Sequence, residues 1–516
     1  MSGHKRRKCP VNRSLTLFLL SLLLASCAFN FEEGHKSNKP LNILFILTDD
    51  QAIDTISAHG NKRISTPNID RLAHAGTSFT HVFNQDSWSP AVCAPSRRMI
   101  NTGRHLFHTG LGPDNDKKGV DSTHFKMFGE TFKDAGYRTF MTGKWHLPMS
   151  IWERSFSEGK AVFKGGMSYV KNGGQWSADF VDYDASSTKG ERYKAYKGNK
   201  HSSEMVADAA IDFLSSQKST EEDAPFMMYV GFLAPHDPRQ SPDEFVTKYP
   251  GNTIDLPESF IAEHPFNQGD HYIRDEILAE FPRKPEVVKD FIGEYYAMID
   301  HMDAQIGRVL DALEESGQAD NTLIIFTSDH GLAVGKHGLL GKQNQYDHSV
   351  RAPFIIKGPN IPKGKTAKGM FYINSAFPTA VELAGIEIPA SVQMPSITPL
   401  LNQLQQAEEV EPDEITMSDS IYGSYRHFQR MLRTDEYKLI YYPHLKKTQL
   451  FNMLKDPAEL VDLSEDSKQQ ERITAMMFEL DKWKKTVGDP LDYQDIDNSF
   501  KMMWGTKDKD HRPKNR

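Results

Sequence analysis

Four short apolar runs in this chain each end abruptly in a cluster of polar and charged residues, and that repeated arrangement restricts the folds open to it. Residues 42–47 read NILFIL and are followed at once by Thr48, Asp49 and Asp50. Residues 137–142 lead into Gly143-Lys144-Trp145-His146, residues 225–233 into Pro235-His236-Asp237-Pro238, and residues 322–327 into Ser328-Asp329-His330-Gly331. The runs have strand length and alternate with helical patterns, which predicts an α/β sheet covered on both faces. Val206, Ala210, Phe213 and Leu214 recur at helical spacing, as do Val288, Phe291, Tyr295, Ile299, Met302, Ile306 and Leu313, and both sets read as core faces. Open α/β sheets hold ligands beyond the carboxyl ends of their strands, so the four charged loops are expected to meet at one crevice.

Composition removes several alternatives. With 61 Lys and Arg against 69 Asp and Glu the formal charge is −8, which argues against a general nucleic-acid binder. A hydrophobic share of 38% over 516 residues can fill a large core and excludes wholesale disorder. The cysteines number three, at positions 9, 27 and 93, so no disulfide framework supports the fold.

Residues 4–8 form a basic run, and the apolar stretch 15–24 is far below the roughly 20 residues of a spanning helix. It ends in Leu24-Ala25-Ser26-Cys27, which resembles a bacterial lipobox. Residues 1–26 are therefore expected to be a lipoprotein signal peptide, Cys27 the lipidated residue, and residues 27–40 a linker. The expected location is the bacterial cell envelope, with the protein exported and membrane-tethered.

Asp49, Asp50 and Asp329, crowded at one sheet edge, would repel one another without a cation. Oxygen ligands favour Ca²⁺ or Mg²⁺, while His330 leaves Mn²⁺ or Zn²⁺ open. The plainer alternative is that paired Asp residues cap the next helix.

The segment Cys93-Ala94-Pro95-Ser96-Arg97, followed by Thr102-Gly103-Arg104, matches the C-x-P-S-R signature of the formylglycine-dependent sulfatases. With the Asp-Asp strand end, TGKWH, APHDP, TSDHG and Gly341-Lys342 in order, the chain resembles that family, part of the alkaline-phosphatase-like superfamily, over residues 41–500. The resemblance implies a large mixed sheet flanked by helices, a catalytic domain over 41–390, and a smaller C-terminal subdomain over 391–504 containing a short antiparallel sheet. Residues 505–516 are expected to form a charged tail.

It also implies that a maturation enzyme oxidises Cys93 to formylglycine. One hydroxyl of the hydrated aldehyde attacks sulfur, the alcohol leaves, and the second hydroxyl expels sulfate. A thiolate is a soft ligand and a poor match for a hard metal, whereas the hydrated aldehyde offers oxygens. The expected metal ligands are Asp49, Asp50, the residue at Cys93, Asp329 and His330, with Ca²⁺ ahead of Mg²⁺ or Mn²⁺.

A sulfate ester develops charge that fixed cations must meet, and Lys144 and Lys342 are the candidates. Arg97 would orient the diol, His146 relay its proton, and His236 protonate or polarise the leaving alcohol. The chain departs from the commonest pattern at Ala94, where Ser or Thr is usual, and at His330, where Asn or Gln is frequent. The Asp-His pair is similar to that of iduronate and choline sulfatases and also of phosphonate monoester hydrolases, which makes phosphonate or phosphodiester hydrolysis the competing reaction. A noncatalytic glycan-binding lipoprotein, with Cys93 left as a thiol, is the competing class.

Residues 155–203 interleave aromatics with lysines, a composition suited to a sulfated glycan and equally to a solvated insertion. Asp237, Arg239, His348 and Arg351 are candidate substrate contacts. Resemblance to marine bacterial polysaccharide sulfatases implies an algal glycan, ulvan first and carrageenan next.

Overall fold

The four apolar runs become adjacent strands of one sheet. In the computed structural model, which describes residues 39–110, 125–217, 224–406 and 415–496, they are β1 (Asn42–Asp49), β4 (Arg138–Lys144), β8 (Phe226–Pro235) and β9 (Thr322–Ser328). The leader, Cys27 and the charged tail lie outside the described residues. The remaining strands of the large sheet are β2 (Thr77–Phe83), β5 (Glu158–Phe163), β6 (Asp179–Asp184), β7 (Tyr193–Lys197), β10 (Arg351–Lys357), β11 (Lys365–Ala367) and β12 (Phe371–Tyr372). Their order is β11-β2-β10-β9-β1-β8-β4-β5-β6-β7, with β12 beside β2. From β9 to β5 the strands are parallel, and β10, β6 and β7 add antiparallel pairings, so the sheet is mixed.

Period-two alternation explains the layering. Ile43, Phe45 and Leu47 of β1 enter a core on one face, and Leu44 and Ile46 enter the core on the other. The second core receives Val206, Ala210, Phe213 and Leu214 from the helix Ser202–Gln217, and Met302, Ile306 and Leu313 from the helix Pro285–Glu315. Both helical faces read from the sequence are thus packing faces, although Phe291 is only partly buried.

Register brings the strand ends level. Thr48 pairs with Ser328 and Asp49 with Pro235, so Asp49, His236 and Asp329 emerge at one edge. Gly143 pairs with Gly231 and has φ +84°; a Cβ on Gly143 would stand 1.8 Å from the Gly231 carbonyl oxygen. Glycine alone allows β4 and β8 to stay this close beside Lys144.

The aromatic and lysine-rich segment is largely sheet. β5, β6 and β7 extend the edge, with Phe163, Phe180 and Tyr183 buried, whereas Tyr169, Trp176 and Tyr193 stay exposed. Lys197 pairs with Asp179 at 3.0 Å and Lys160 with Asp212. The interleaving therefore reflects, in good part, the inside and outside of an edge hairpin.

A second sheet has the order β16-β15-β14-β13-β3, where β3 is Asp86–Ser87, β13 Ser420–Tyr425, β14 Gln429–Thr434, β15 Tyr437–Tyr442 and β16 Lys447–Asn452. β13 to β16 are antiparallel, and β3 joins β13 in parallel. A strand just upstream of Cys93 is thereby built into the C-terminal sheet.

Candidate active site

Cys93 opens the helix Cys93–Thr102, and Gly103, at φ 61°, closes it in the left-handed conformation. The thiol is free and buried. One helical turn on, Arg97 is also buried: its Nε donates to Asp329 Oδ2 at 2.8 Å, its Nη1 to the Lys144 carbonyl at 2.5 Å, and its Nη2 lies 3.9 Å from Asp49 Oδ1. Arg97 braces the acidic nest from beneath.

The nest is the feature expected from the strand ends. Asp49, Asp50 and Asp329 bring ligand oxygens within 4.8 Å of one another, all buried. Asp50 sits at φ 72°, a conformation costly outside glycine, and Tyr295 Oη holds it by donating to the Asp50 carbonyl at 2.5 Å. Cations of the chain surround the acids. Lys144 Nζ pairs with Asp49 Oδ2, and Lys342 Nζ donates to Asp50 Oδ1 at 2.6 Å and contacts Cys93 Sγ at 3.0 Å.

Burial would raise the Asp49 carboxyl, but Lys144, with His236, Arg97 and Lys342, holds it well below the usual carboxylate range. Asp329 goes the other way: burial first, then the Asp49 and Asp50 charges, push it up to about 7 against the pull of Arg97. A site whose third carboxylate resists ionisation is short of positive charge, and Asp49 Oδ1 is buried without a hydrogen-bond donor. The donor set of hard oxygens therefore fits a divalent cation.

Two histidines flank the nest. His236 Nε2 lies 3.7 Å from Asp50 Oδ2, and its Nδ1 faces Asp237 at 2.8 Å from the carbonyl and 3.0 Å from Oδ1. Burial and Lys342 oppose a charged His236, yet Asp50 and Asp237 outweigh them and raise it well above ordinary imidazole. His146 has the opposite environment: burial, Lys144 and Arg97 keep it neutral, well below the usual range. It stands at φ 57°, and a Cβ on Gly166 would press on its ring at 2.7 Å.

The remaining candidates have internal partners. His330 Nε2 lies 3.4 Å from Asp86 Oδ1 and its Nδ1 3.2 Å from the Gly331 carbonyl, so the side chain faces β3 and is not gathered with the three carboxylates. Asp237 is taken by His236 and Arg274, while the Arg239 guanidinium covers the Phe291 ring at 4.7 Å. His348 stacks on Tyr346 and His337 with ring centroids 5.6 and 5.3 Å away. Arg351 donates to the Thr80 carbonyl at 2.5 Å and lies 3.6 Å from Asp347.

Several supporting residues were given no role of their own from the sequence. Ser96 Oγ donates to the Asp329 carbonyl at 2.6 Å, as does Asn84 Nδ2 at 2.5 Å. Gln343 and Asp275 form a buried bond at 2.7 Å beside Lys342. Asn84, Asp275 and Gln343 are single polar residues in irregular segments that no motif spacing marks, whereas Ser96 lies in the C-x-P-S-R segment, which does not by itself say what its hydroxyl holds.

A buried acidic nest with two lysines, flanked by one histidine that its surroundings favour as charged and one that they favour as neutral, with a buried cysteine at a helix N-terminus, is the equipment of a hydrolase for anionic esters. Comparison with known proteins makes this specific. A model described as Sulfatase matches residues 41–386, and one described as N-sulphoglucosamine sulphohydrolase, C-terminal, matches 335–486. The chain belongs to the Sulfatase family, and it is an enzyme of that kind, a sulfatase.

It is 27% identical to an N-acetylglucosamine-6-O-sulfatase of Bacteroides thetaiotaomicron, over 92% of this chain and 91% of the relative. It is 31% identical to iduronate 2-sulfatase of Mus musculus, over 75% and 76% respectively. A solved structure in complex with its substrate D-glucosamine-2-N,6-O-disulfate shares the fold with a TM-score of 0.69 at 23% identity, over 87% of this chain and 99% of the other.

Proposed function

We propose that the protein hydrolyses sulfate esters of a sulfated polysaccharide or its oligosaccharides, using formylglycine made from Cys93 and a bound Ca²⁺. The observation that carries this reading is the position of Cys93. Its sulfur lies 3.0 Å from Lys342 Nζ and within 4.8 Å of ligand atoms of Asp49 and His236, where a hard-metal nest favours oxygen over sulfur. Hydrated formylglycine would supply a nucleophilic oxygen there, and the cation would supply positive charge to the sulfuryl oxygens. Asp49, Asp50 and Asp329 are the residues to hold the cation, and His330 joins them only if its ring leaves Asp86.

The chain's own groups account for the rest. Lys144 and Lys342 present their ammonium groups at the nest, already desolvated, so they meet developing charge without reorganisation. His236, with Nδ1 held by Asp237, has Nε2 free to give a proton to the departing alcohol oxygen. His146, kept neutral, can accept one. Arg97 and Asp329 hold each other and fix the helix that carries residue 93.

The names of the two relatives point to glucosamine and iduronate sulfates, and the sequence resemblance points to ulvan and then carrageenan. Export and a lipid tether at Cys27 form part of the same proposal, as does a formylglycine-generating enzyme as partner. The test is sulfate release from ulvan, carrageenan and glycosaminoglycan oligosaccharides by protein coexpressed with that enzyme, against Cys93→Ala. Release from one glycan, absent in the variant, is expected. No release despite an aldehyde confirmed at position 93 by mass spectrometry would turn the assignment to phosphonate or phosphodiester substrates.

A further inference from the structure

The segment between β8 and the helix Pro285–Glu315 carries a chain of ion pairs that reaches His236 at one end and Gln343, the neighbour of Lys342, at the other. Its Arg274 grips Asp237 with both terminal nitrogens, Nη1 to Oδ2 at 2.5 Å and Nη2 to Oδ1 at 3.1 Å. The same Nη2 pairs with Asp275, whose other oxygen accepts from Gln343 Nε2 at 2.7 Å. One arginine thus joins the loop carrying His236 to the loop carrying Lys342. Further along, Asp270 takes Tyr425 Oη at 2.5 Å and Arg426 Nη1 at 2.7 Å, which anchors this loop to the C-terminal sheet.

We propose that Arg274 is a positioning residue for the leaving-group step, acting through Asp237 on His236. A bidentate guanidinium fixes the carboxylate plane as well as its place. Asp237, so fixed, holds Nδ1 of His236 and turns Nε2 toward the crevice; the same logic by which second-shell carboxylates orient ligating histidines applies. When the bond from sulfur to the bridging oxygen breaks, that oxygen keeps the electron pair and takes the proton from Nε2. A ring free to rotate delivers that proton less often. The inference rests on the role given to His236 above. Arg274 is partly exposed, with a side-chain exposure of 39%, so its replacement does not open the core.

The test uses the full chain, matured by coexpression, and a series of aryl sulfates whose leaving phenols run from nitro- to methoxy-substituted. Arg274→Gln is expected to lower kcat by about 10- to 100-fold on the most basic leaving groups and by under about threefold on the nitrophenyl ester, with KM little changed. Arg274→Lys should recover only part, since an ammonium cannot take both carboxylate oxygens. In a His236→Gln background Arg274→Gln should add nothing, because both changes remove one function. Equal loss across the series, a change confined to KM, or additive losses in the double variant would each overturn the proposal. The reading of His236 fails separately, and visibly, when His236→Gln alone lowers every ester by the same factor. Thermal melts of each variant guard against misfolding.

Discussion

The ammonium of Lys342 lies 3.0 Å from the sulfur of Cys93 and 2.6 Å from Asp50 Oδ1. A buried cation is thereby shared between an acid of the nest and Cys93. Removing it leaves Asp50 desolvated without its partner and, on the proposed mechanism, strips charge from the place where the nucleophile would stand. Lys342→Ala and Lys144→Ala are each expected to cost about 3 kcal/mol of transition-state stabilisation, or 10²- to 10³-fold in kcat. Steady-state kinetics on matured protein decides; near-full turnover in either variant would remove that lysine from the mechanism.

The acidic nest predicts a metal-dependent melt. Ca²⁺ at 100 times its dissociation constant adds about 2.7 kcal/mol to stability through binding alone. Calorimetry of chelator-treated protein with and without Ca²⁺ should show the rise, and Asp49→Asn should abolish most of it. A melt indifferent to Ca²⁺ and Mg²⁺ in the native protein would contradict a metal nest.

Gly143 makes a purely structural prediction. Ala at this position needs the left-handed conformation and places its Cβ 1.8 Å from the Gly231 carbonyl oxygen, so β4 and β8 must part beside Lys144. Overpacking of this kind costs about 1–3 kcal/mol. Gly190→Ala, where a Cβ meets nothing within 4 Å, serves as the neutral control. Indistinguishable melts of the two variants would show that the strands can move apart freely.

Acid should weaken the fold well above the carboxylate range. Burial, above all, holds His201, His264 and His337 down to about 4 and His81 down to about 3. Unfolded, each takes up a proton near pH 6.5, so between about pH 4 and 6.5 these histidines, with His105, His301 and His427, which burial likewise holds down to about 3 or 4, bind more protons unfolded than folded, and they outnumber the buried acids Asp86, Asp303, Asp329 and Glu459, pushed up to about 6 or 7, which act in the opposite sense. Stability is then fully present above pH 6.5 and falls as pH falls, with a limit of about 1.4 kcal/mol per histidine per unit. Thermal midpoints measured from pH 8 to pH 4.5 should decline below about pH 6.5; a midpoint that is flat or rising down to pH 5 would refute it.

The parts of this architecture written locally were the ones the sequence disclosed. Each central strand is an unbroken apolar run, and its polar ending is forced by the change from core to crevice, so Asp49, Lys144, His236 and Asp329 announced themselves. β5 to β7 did not, because their aromatic and lysine alternation matches a binding surface as well as an edge hairpin. Asp237 and Arg351 carry the residue types that read sugars, but Arg274, which holds Asp237, and the Thr80 carbonyl, which holds Arg351, are brought by tertiary contact that no spacing records. For the same reason the Asp329-His330 pair reads as a ligand doublet, while the ring of His330 faces Asp86, which lies 244 positions earlier in the chain.

The two-residue strand Asp86–Ser87 has a temporal meaning. It lies a few residues before Cys93, and its partner Ser424–Tyr425 leaves the ribosome more than 300 residues later. At about 5 to 20 residues per second, the intervening stretch takes tens of seconds to synthesise. Once that strand is seated, Cys93 is 2% exposed at the start of a buried helix. On the proposed maturation of Cys93, an enzyme that must grip the backbone there has this interval, before the last strands arrive, and the finished fold would then enclose the altered residue.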